Sequence, residues 1–438
     1  MIATQAPPAP GPLSALLAGE PFRPAEPRNL EETGLNEGLV DSLILKHLAA
    51  VGTERGRGLA EQLCLPYGIL ENRFQKLRSR QLLTHKGGAP LNDFYYSLSD
   101  QGREYTQLLH DACSYHGPAP VPLSDYITSV DAQTIRAEAP KREQLEKAFR
   151  DISVNPEIFA SLGPAVNSGA GLFLYGAPGN GKTTLAERVT LCFGQAIWIP
   201  RTLLAEAEII KLYDPAYHQE VETLQKDLLR TDSHDRRWVK IRRPTVVAGG
   251  ELTMDSLEIR HNPHTNISEA PLQLKSNCGS LLIDDFGRQR INHVELLNRW
   301  IVPLEKQYDF LTLSSGKKIQ VPFDQLIIFS TNLRPGDLVD EAFLRRIPYK
   351  INVPDPDAQE FHRLFQLCAP GMHCEYDADA VNYLLEKHYQ PHQRPLRRCH
   401  PRDLLLQIHN YCAYNDLEME MKAEYFDQVV DNYFTVAG

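Results

Sequence analysis

One octapeptide restricts what this 438-residue chain can fold into more than any other feature of it. Residues 176–183 read Gly-Ala-Pro-Gly-Asn-Gly-Lys-Thr, which is the pattern G-x-x-x-x-G-K-T. A short apolar run, residues 172–175, precedes it as a buried strand would, and residues 184–189 are typical of a helix. Glycines let backbone N–H groups turn toward phosphate oxygens, and the start of a helix adds the positive end of its dipole. The sequence therefore predicts an α/β sheet that carries a phosphate-binding loop.

The residues of this loop have separate expected roles. The cofactor-binding residues are expected to be Gly176, Ala177, Pro178, Gly179, Asn180, Gly181, Lys182, Thr183 and Thr184. The ammonium group of Lys182 is expected to reach the β and γ phosphates, and the hydroxyl of Thr183 is expected to hold Mg²⁺. The loop therefore predicts ATP and Mg²⁺ as cofactors.

A second apolar strand, residues 280–283, ends in two carboxylates, Asp284 and Asp285. A carboxylate at the end of a strand next to the loop can position Mg²⁺, and a second one can polarise the attacking water. We therefore expect Asp284 to be a metal ligand together with Thr183, and Asp285 to be catalytic.

A third strand-like run, residues 325–331, ends in Asn332, and the pair Arg345 and Arg346 closes the helical segment that follows. These motifs together resemble those of the AAA+ ATPases, over about residues 150–438. The resemblance implies that Asn332 orients the water or the γ phosphate. It also implies an arginine finger, Arg346 by preference and Arg345 otherwise, which reaches the ATP of a neighbouring subunit. The chain is therefore expected to form a homo-oligomer, most simply a hexameric ring. The family usually has Glu where this chain has Asp285, which is one methylene shorter.

The segment beyond Pro354 has helical spacing and resembles the helical lid of an AAA+ module. The resemblance assigns the sensor-2 role to Arg402, with Arg397 and Arg398 as competitors. Residues 309–322 alternate around a glycine turn and resemble the hairpin that precedes sensor 1 in the branch with MoxR and magnesium-chelatase ATPases. Residues 239–263 are predicted to be further β structure in an insert, with residues 249–252 as a candidate client-contact loop or a plain structural hairpin.

The N-terminal third divides into a tail, a small domain and a linker. Residues 1–35 are rich in Pro and Ala and are predicted to be a flexible tail. Residues 36–112 show three helices and a hairpin and resemble a winged-helix domain, and residues 113–150 are predicted to be a linker and a helix. In that resemblance residues 68–86, with Arg73, Lys76, Arg78, Arg80 and Lys86, would face DNA. Residues 36–110 nevertheless carry nine Lys and Arg against eight Asp and Glu, a net of +1, so protein contacts are an equal alternative.

Composition limits the possible compartments. The formal net charge is −10, and no apolar run of membrane-spanning length is present. The eight cysteines form no C-x-x-C pair, which favours reduced thiols, a cytoplasmic location and no membrane partner. The spacing of Cys368, His373, Cys374, Cys399 and His400 matches no usual zinc framework.

The expected fold class is therefore α/β: a P-loop AAA+ parallel sheet over residues 151–356 with a C-terminal helical lid over 357–438, preceded by the winged-helix-like α+β domain. The first functional hypothesis is an ATP-hydrolysing remodelling ATPase that acts on a protein client as a ring. Two alternatives stay open. One is a DNA-associated ATPase that uses the winged helix for transcription control or DNA mobility, and the other is a nucleotide-gated scaffold with little turnover.

Overall fold

The computed structural model describes residues 21–90, 93–194, 196–221, 233–338 and 341–434. Its N-terminal module contains α1 (Glu37–Val51), β1 (Thr53–Arg55), α2 (Gly56–Leu63), α3 (Tyr67–Ser79), β2 (Leu83–Ala89), β3 (Asp93–Leu98) and α4 (Asp100–Ala112). The strands pair antiparallel in the order β1-β3-β2. Helix α1 begins after Asn36, whose side chain accepts a hydrogen bond from the Leu39 N–H at 2.8 Å. The three helices and the hairpin that the sequence predicted are present.

The tail predicted over residues 1–35 is ordered where the structure describes it. The ring of Phe22 lies 5.3 Å from that of Trp238, and the Asp235 N–H donates to the Pro24 carbonyl at 3.1 Å. Thr33 is fully buried. Residues 21–35 therefore pack on the body of the protein, because their apolar and backbone groups find partners distant in sequence. Residues 1–20 lie outside the described part of the chain.

The segment predicted to be a linker is also structured. Residues 121–122 form β4 (Val121–Pro122), which pairs in parallel with β7 (Thr202–Ala205), and Ala119 and Val121 are buried. The strand lies at the edge of its sheet, where a proline is tolerated because its missing N–H faces away from the ladder. The Pro-rich composition suggested a linker, but these residues join two parts of the fold.

The N-terminal module packs against a five-stranded sheet, the second sheet of the fold, whose strand order is β11-β12-β8-β7-β4. Its other strands are β8 (Glu208–Lys211), β11 (Arg260–Asn262) and β12 (Ile267–Glu269). Ile209 of β8 lies in the same hydrophobic core as Leu43 and Leu59 of the module. Buried Arg237 donates to the carbonyls of Thr33 and Pro120 at 2.8 and 3.1 Å. The module is thus packed against this sheet.

The central sheet has five parallel strands in the order β10-β13-β16-β5-β17. They are β5 (Leu172–Tyr175), β10 (Thr245–Ala248), β13 (Ser280–Ile283), β16 (Leu326–Thr331) and β17 (Tyr349–Asn352). Leu172 and Leu174 belong to one hydrophobic core and Phe173 belongs to another, because successive side chains of a strand point to opposite faces. The sheet is therefore covered on both faces, and the carboxyl ends of its strands share one edge.

The helices between the N-terminal module and the lid are α5 (Leu123–Ala132), α6 (Arg142–Ala148), α7 (Pro156–Ser168), α8 (Lys182–Thr190), α9 (Leu272–Lys275), α10 (His293–Lys306), α11 (Pro335–Leu338) and α12 (Glu341–Leu344). Helix α8 begins directly after the phosphate loop. The start of α8 therefore lies at the carboxyl edge of the central sheet.

The β structure predicted as an insert before Asp284 belongs in part to the core. Strand β9 (Trp238–Arg242) pairs with β6 (Ala196–Pro200) in a separate two-stranded sheet, but β10 is an edge strand of the central sheet. Residues 249–252, predicted as a client-contact loop, therefore follow a core strand. Leu252 is buried, and the Gly250 carbonyl accepts a hydrogen bond from the Arg290 N–H at 3.0 Å.

The predicted hairpin and lid are confirmed. Strand β14 (Tyr308–Thr312) pairs antiparallel with β15 (Lys318–Pro322). The lid contains α13 (Ala358–Cys368), α14 (Ala378–Leu384), α15 (His400–Tyr414) and α16 (Ala423–Tyr433), with Phe361, Leu404 and Phe426 in its own core. Within the described residues, no helix combines the length and the hydropathy needed to cross a bilayer. The α/β fold class with a C-terminal helical lid is therefore confirmed.

Candidate functional site

The phosphate loop connects β5 to α8 in a backbone conformation that requires its glycines. Gly176, Gly179 and Gly181 have φ values of 145°, 82° and 78°, which side-chain-bearing residues rarely adopt. A Cβ atom added to Gly176 would collide with the Val353 carbonyl, and one added to Gly179 would collide with the Cys399 Sγ. The loop is therefore held against the end of β17 and against the start of α15.

Lys182 is the first residue of α8, and it is buried at the centre of the site. Its Nζ donates to the carbonyls of Gly176 and Ala177 at 3.0 Å each and to the Asn332 Oδ1 at 2.8 Å. Burial lowers the pKa of Lys182, whereas the nearby carboxylates of Asp285 and Asp284 oppose the shift. The ammonium group of Lys182 therefore lies between the loop carbonyls and Asn332.

Thr183, at the start of α8, lies next to Asp284, which directly follows β13. The Thr183 hydroxyl donates to Asp284 at 3.0 Å from Oδ1 and 2.9 Å from Oδ2. The two residues are a hundred positions apart, but β5 and β13 both end at the same edge of the sheet. A hydroxyl and a carboxylate so close together are the oxygen ligands that Mg²⁺ prefers.

Asp285 and Asn332 form the second contact between strand ends. The Asn332 Nδ2 donates to the Asp285 Oδ1 at 2.8 Å, so Asn332 links the carboxylate of Asp285 to the ammonium of Lys182. Asp285 has a φ of 53°, a left-handed conformation that Asp tolerates better than most residues. This backbone turn is a local reason for Asp, rather than the longer Glu, at this position.

The lid touches the phosphate loop through its backbone. The N–H of Cys399 donates to the Gly179 carbonyl at 2.9 Å, and the N–H of Arg398 donates to the Asn180 Oδ1 at 3.3 Å. The Asn180 Nδ2 in turn donates to the Asp355 Oδ1 at 2.7 Å. Asn180 therefore joins the loop to the lid and to the segment after β17.

Three arginines compete for the sensor-2 role, and the structure distinguishes them. Arg397 pairs with Asp355, and its charge contributes to the lowered pKa of Lys182. Arg402, the residue preferred from the sequence, pairs with its neighbour Asp403 at 2.9 Å, and its side chain is 68% exposed. The structure therefore brings Arg397, rather than Arg402, to the loop.

The two arginine-finger candidates differ in their surroundings. Arg346 donates through Nε to the Glu305 Oε1 at 2.8 Å, and its side chain is mostly buried. Arg345 is exposed. An arginine finger acts on the ATP of a neighbouring subunit. The contacts within one chain therefore show only which of the two arginine side chains is accessible.

A narrow cleft of about 230 Å³ opens beside the loop between the lid and the segment before α7. Its walls are mostly apolar, formed by Ile152, Val154, Ile158, Leu185, Leu364, Leu367 and Cys368. Asn180, Gly181 and Thr184 of the loop region line one end. An apolar cleft next to a phosphate-binding loop suits a flat base attached to the phosphates.

Sequence reasoning missed two parts of this site. The first is the pair of Asp355 and Arg397, which could have been noticed because Asp355 closely follows the last core strand. The second is the apolar cleft, whose walls come from two segments about two hundred residues apart. Periodicity within either segment carries no information about this contact.

The cysteines and histidines of the lid have other contacts in the described residues. No group of three or more His, Cys, Asp or Glu in the described ranges could hold an ion. The His400 Nδ1 lies 2.8 Å from the Tyr389 hydroxyl, and burial lowers the pKa of His400 to about 4. All eight cysteines lie in the described part of the chain and are free thiols.

The basic side chains predicted to face DNA are largely paired within the N-terminal module. The buried guanidinium of Arg73 forms two hydrogen bonds to Asp41 at 2.8 and 2.7 Å and pairs with Glu37 at 2.6 Å. Lys76 also pairs with Glu37 at 2.7 Å, and Arg80 lies 3.6 Å from Asp41. Three of the basic side chains on this segment therefore contact the two acidic residues Glu37 and Asp41 of α1.

Comparisons with known proteins give partial matches. Residues 357–432 match a family described as a domain of unknown function, DUF8689. No curated protein matches the chain. Among solved structures, NtrX from Brucella abortus in complex with ADP is 13% identical with a TM-score of 0.40, over 67% of this chain and 59% of NtrX. The Holliday junction branch migration motor RuvB of Thermotoga maritima is 12% identical with a TM-score of 0.36, over 70% of this chain and 71% of RuvB. The chain thus spans less than two thirds of the length of NtrX.

Proposed function

We propose that this chain is an AAA+ ATPase that binds Mg-ATP at residues 176–184 and hydrolyses it to ADP and phosphate. One observation carries the proposal: the carboxyl edge of the central sheet holds two hydrogen-bonded pairs, Thr183 with Asp284 and Asn332 with Asp285, on either side of Lys182. A cation, two oxygen ligands and a carboxylate with its orienting amide are the parts that phosphoryl transfer requires. If these polar contacts served only stability, they would not need a glycine-rich loop beside them.

Each side chain has a distinct part in the proposed reaction. Thr183 and Asp284 fit Mg²⁺, because both present oxygen atoms, the ligand type that this ion prefers. The metal ion would neutralise charge on the phosphates. Lys182 would exchange its bonds to the loop carbonyls for phosphate oxygens, which are stronger partners for an ammonium group. Asp285, held by Asn332, would orient the attacking water and accept its proton.

We propose Arg397 as the arginine through which the lid senses nucleotide. It extends from the lid to Asp355, which also holds Asn180 of the loop. A phosphate group near Gly179 would compete with Asp355 for this guanidinium. Arg402 would need to leave Asp403 and turn inward to take the same role.

We propose that the active form is a ring in which a neighbouring subunit supplies the arginine finger. The exposed Arg345 is our preferred finger, because Arg346 would first have to give up its bond to Glu305. The number of subunits is expected to be six, as in the first hypothesis.

We propose a protein client rather than DNA, and a cytoplasmic location. The pairing of Arg73, Lys76 and Arg80 with acidic residues of α1 supports this choice, because phosphate contacts require cations free to release counterions. The same reasoning treats residues 36–112 as a winged-helix-like contact domain fixed to the ATPase domain (151–356), with residues 357–438 as its lid.

The test is steady-state hydrolysis of ATP by wild type, Lys182→Ala and Asp285→Asn. The proposal predicts measurable turnover in wild type and loss of at least 100-fold in both variants, because each lacks a transition-state contact. Lys211→Ala removes an exposed lysine of the second sheet and is the matched control. Equal background rates in all four proteins would instead support the scaffold alternative.

A further inference from the structure

The apolar cleft beside the loop is lined by two charged residues, Asp151 and Arg398. The carboxylate of Asp151 pairs with Arg188 at 2.6 Å. Arg398 lines the cleft, and its side chain is nine-tenths buried, with 10% exposure. The other walls near it are apolar residues of the lid and of the segment before α7. A guanidinium group in such a place is costly unless its N–H groups are hydrogen-bonded.

Only one of the three guanidinium nitrogens of Arg398 is used within the described residues. The Nη1 donates to the Ser153 carbonyl at 2.9 Å and lies 2.8 Å from the Glu360 Oε1. The Nε and Nη2 are buried, and the described part of the chain offers them no hydrogen-bond partner. Arginine carries one N–H on Nε and two on Nη2 and has no acceptor atom. The unused donors are therefore available to an acceptor atom of a ligand.

The neighbouring arginines differ from Arg398 in this respect. Arg397 and Arg402 are each paired with a carboxylate, Asp355 and Asp403, and neither lines the apolar cleft. Arg398 lines the cleft together with Leu364, Leu367 and Cys368, whose side chains are apolar. Its unused donors are thus suited to the heterocyclic end of a nucleotide.

We propose that Arg398 recognises the base of a bound nucleotide by donating to a ring nitrogen of a purine. The inference rests on the proposed function, since it assumes that the phosphates occupy the adjacent loop. The ring of adenine has three acceptor nitrogens, N1, N3 and N7. A guanidinium group can only donate, so it can form a hydrogen bond to one of these nitrogens. Loss of that nitrogen leaves a buried cationic donor unpaired, which discriminates more strongly than loss of an apolar contact.

The test compares ATP with 1-deaza-ATP, 3-deaza-ATP and 7-deaza-ATP, each of which replaces one ring nitrogen by C–H. Dissociation constants are measured by calorimetry in an Asp285→Asn background to slow turnover. One analogue is expected to bind about 10- to 100-fold more weakly than ATP, the range for a hydrogen bond to a charged group. The other two are expected to bind within about threefold of ATP.

The variant arm separates recognition from a structural role. In Arg398→Met the discriminated analogue should bind as well as ATP does, whereas Arg398→Lys should keep part of the discrimination. Arg363→Met, which removes an exposed arginine of the same helix as Glu360, is the control and should retain the wild-type pattern. A structural role would weaken all four nucleotides equally.

Two results would overturn the inference. One is equal binding of ATP and all three analogues by the protein that retains Arg398. This result does not depend on whether an Arg398 variant folds. The other is discrimination that persists in Arg398→Met. If ATP itself fails to bind the well-folded Arg398 protein, the proposed function has failed. If ATP binds and no analogue is discriminated, only the role of Arg398 has failed.

Discussion

Replacement of Asn332 by Asp tests the link between Lys182 and Asp285 at nearly constant shape. The new carboxyl keeps an oxygen for Lys182 but puts a second oxygen where the amide N–H now donates to Asp285 at 2.8 Å. Two unit charges at that distance repel by about 6 kcal/mol at an effective dielectric constant of about 20, and by about 1.5 kcal/mol in water. Because Asp285 is exposed, solvent screening favours the lower end, about 2 kcal/mol.

The lost hydrogen bond adds about 1 kcal/mol to this penalty. A total of about 3 kcal/mol corresponds to a kcat about 100-fold below wild type at pH 8. Binding of Mg-ATP should also weaken, because the new carboxylate lies beside Lys182 and repels the anionic phosphates that this lysine is expected to contact.

The assay is coupled steady-state hydrolysis from pH 6 to 8.5, with nucleotide affinity measured separately. Asn382→Asp, an exposed substitution of the same chemistry in the lid, should behave as wild type at every pH. A variant at position 332 that retains wild-type kcat at pH 8 would refute the proposed link.

Three other predictions follow from the same contacts. Gly176→Ala should abolish the stabilisation by Mg-ATP in thermal denaturation, because the added Cβ meets the Val353 carbonyl at a φ of 145°; a ligand-induced rise in Tm equal to wild type would contradict this. Binding of ATP near pH 9 should take up protons, because anionic phosphates raise the lowered pKa of Lys182. Calorimetric titrations in buffers of different ionisation enthalpy measure whether protons are taken up or released, and proton release would contradict this prediction. In urea denaturation, Arg73→Met should lower the free energy of unfolding by about 3 kcal/mol, because buried Asp41 loses the guanidinium that forms two hydrogen bonds to it. A loss below about 0.5 kcal/mol would show that the pair contributes little.

The sequence predicted the centre of the site because that centre follows from local patterns. Apolar runs that end in Asp284 and Asn332 are recognisable one at a time, and parallel strands necessarily bring such ends to one edge. The role of Asp355 could not be predicted in this way, because its partners Asn180 and Arg397 are far apart in the chain. The cleft has the same origin, since its walls come from the lid and from the segment before α7.

The errors in the N-terminal half have a different physical cause. Residues 117–122 are rich in Pro and Gly, and composition alone suggested a linker. Their burial depends on β7 and on the carbonyl contacts of Arg237, which lie about a hundred residues away. Strand β10 was similarly assigned to an insert, because a proline separates it from β9 and its neighbour in the sheet, β13, lies about thirty residues later. Long-range pairing decided both outcomes.

The proposal as a whole depends on uptake of a magnesium-bound triphosphate by the loop at residues 176–183, and calorimetric titration of Mg-ATP into the folded chain measures that uptake directly. We predict saturable binding with one site per chain, and a dissociation constant at least 100-fold weaker in Lys182→Ala, whose ammonium group is lost. Absence of binding to the wild-type protein, or equal binding to the variant, would contradict the account.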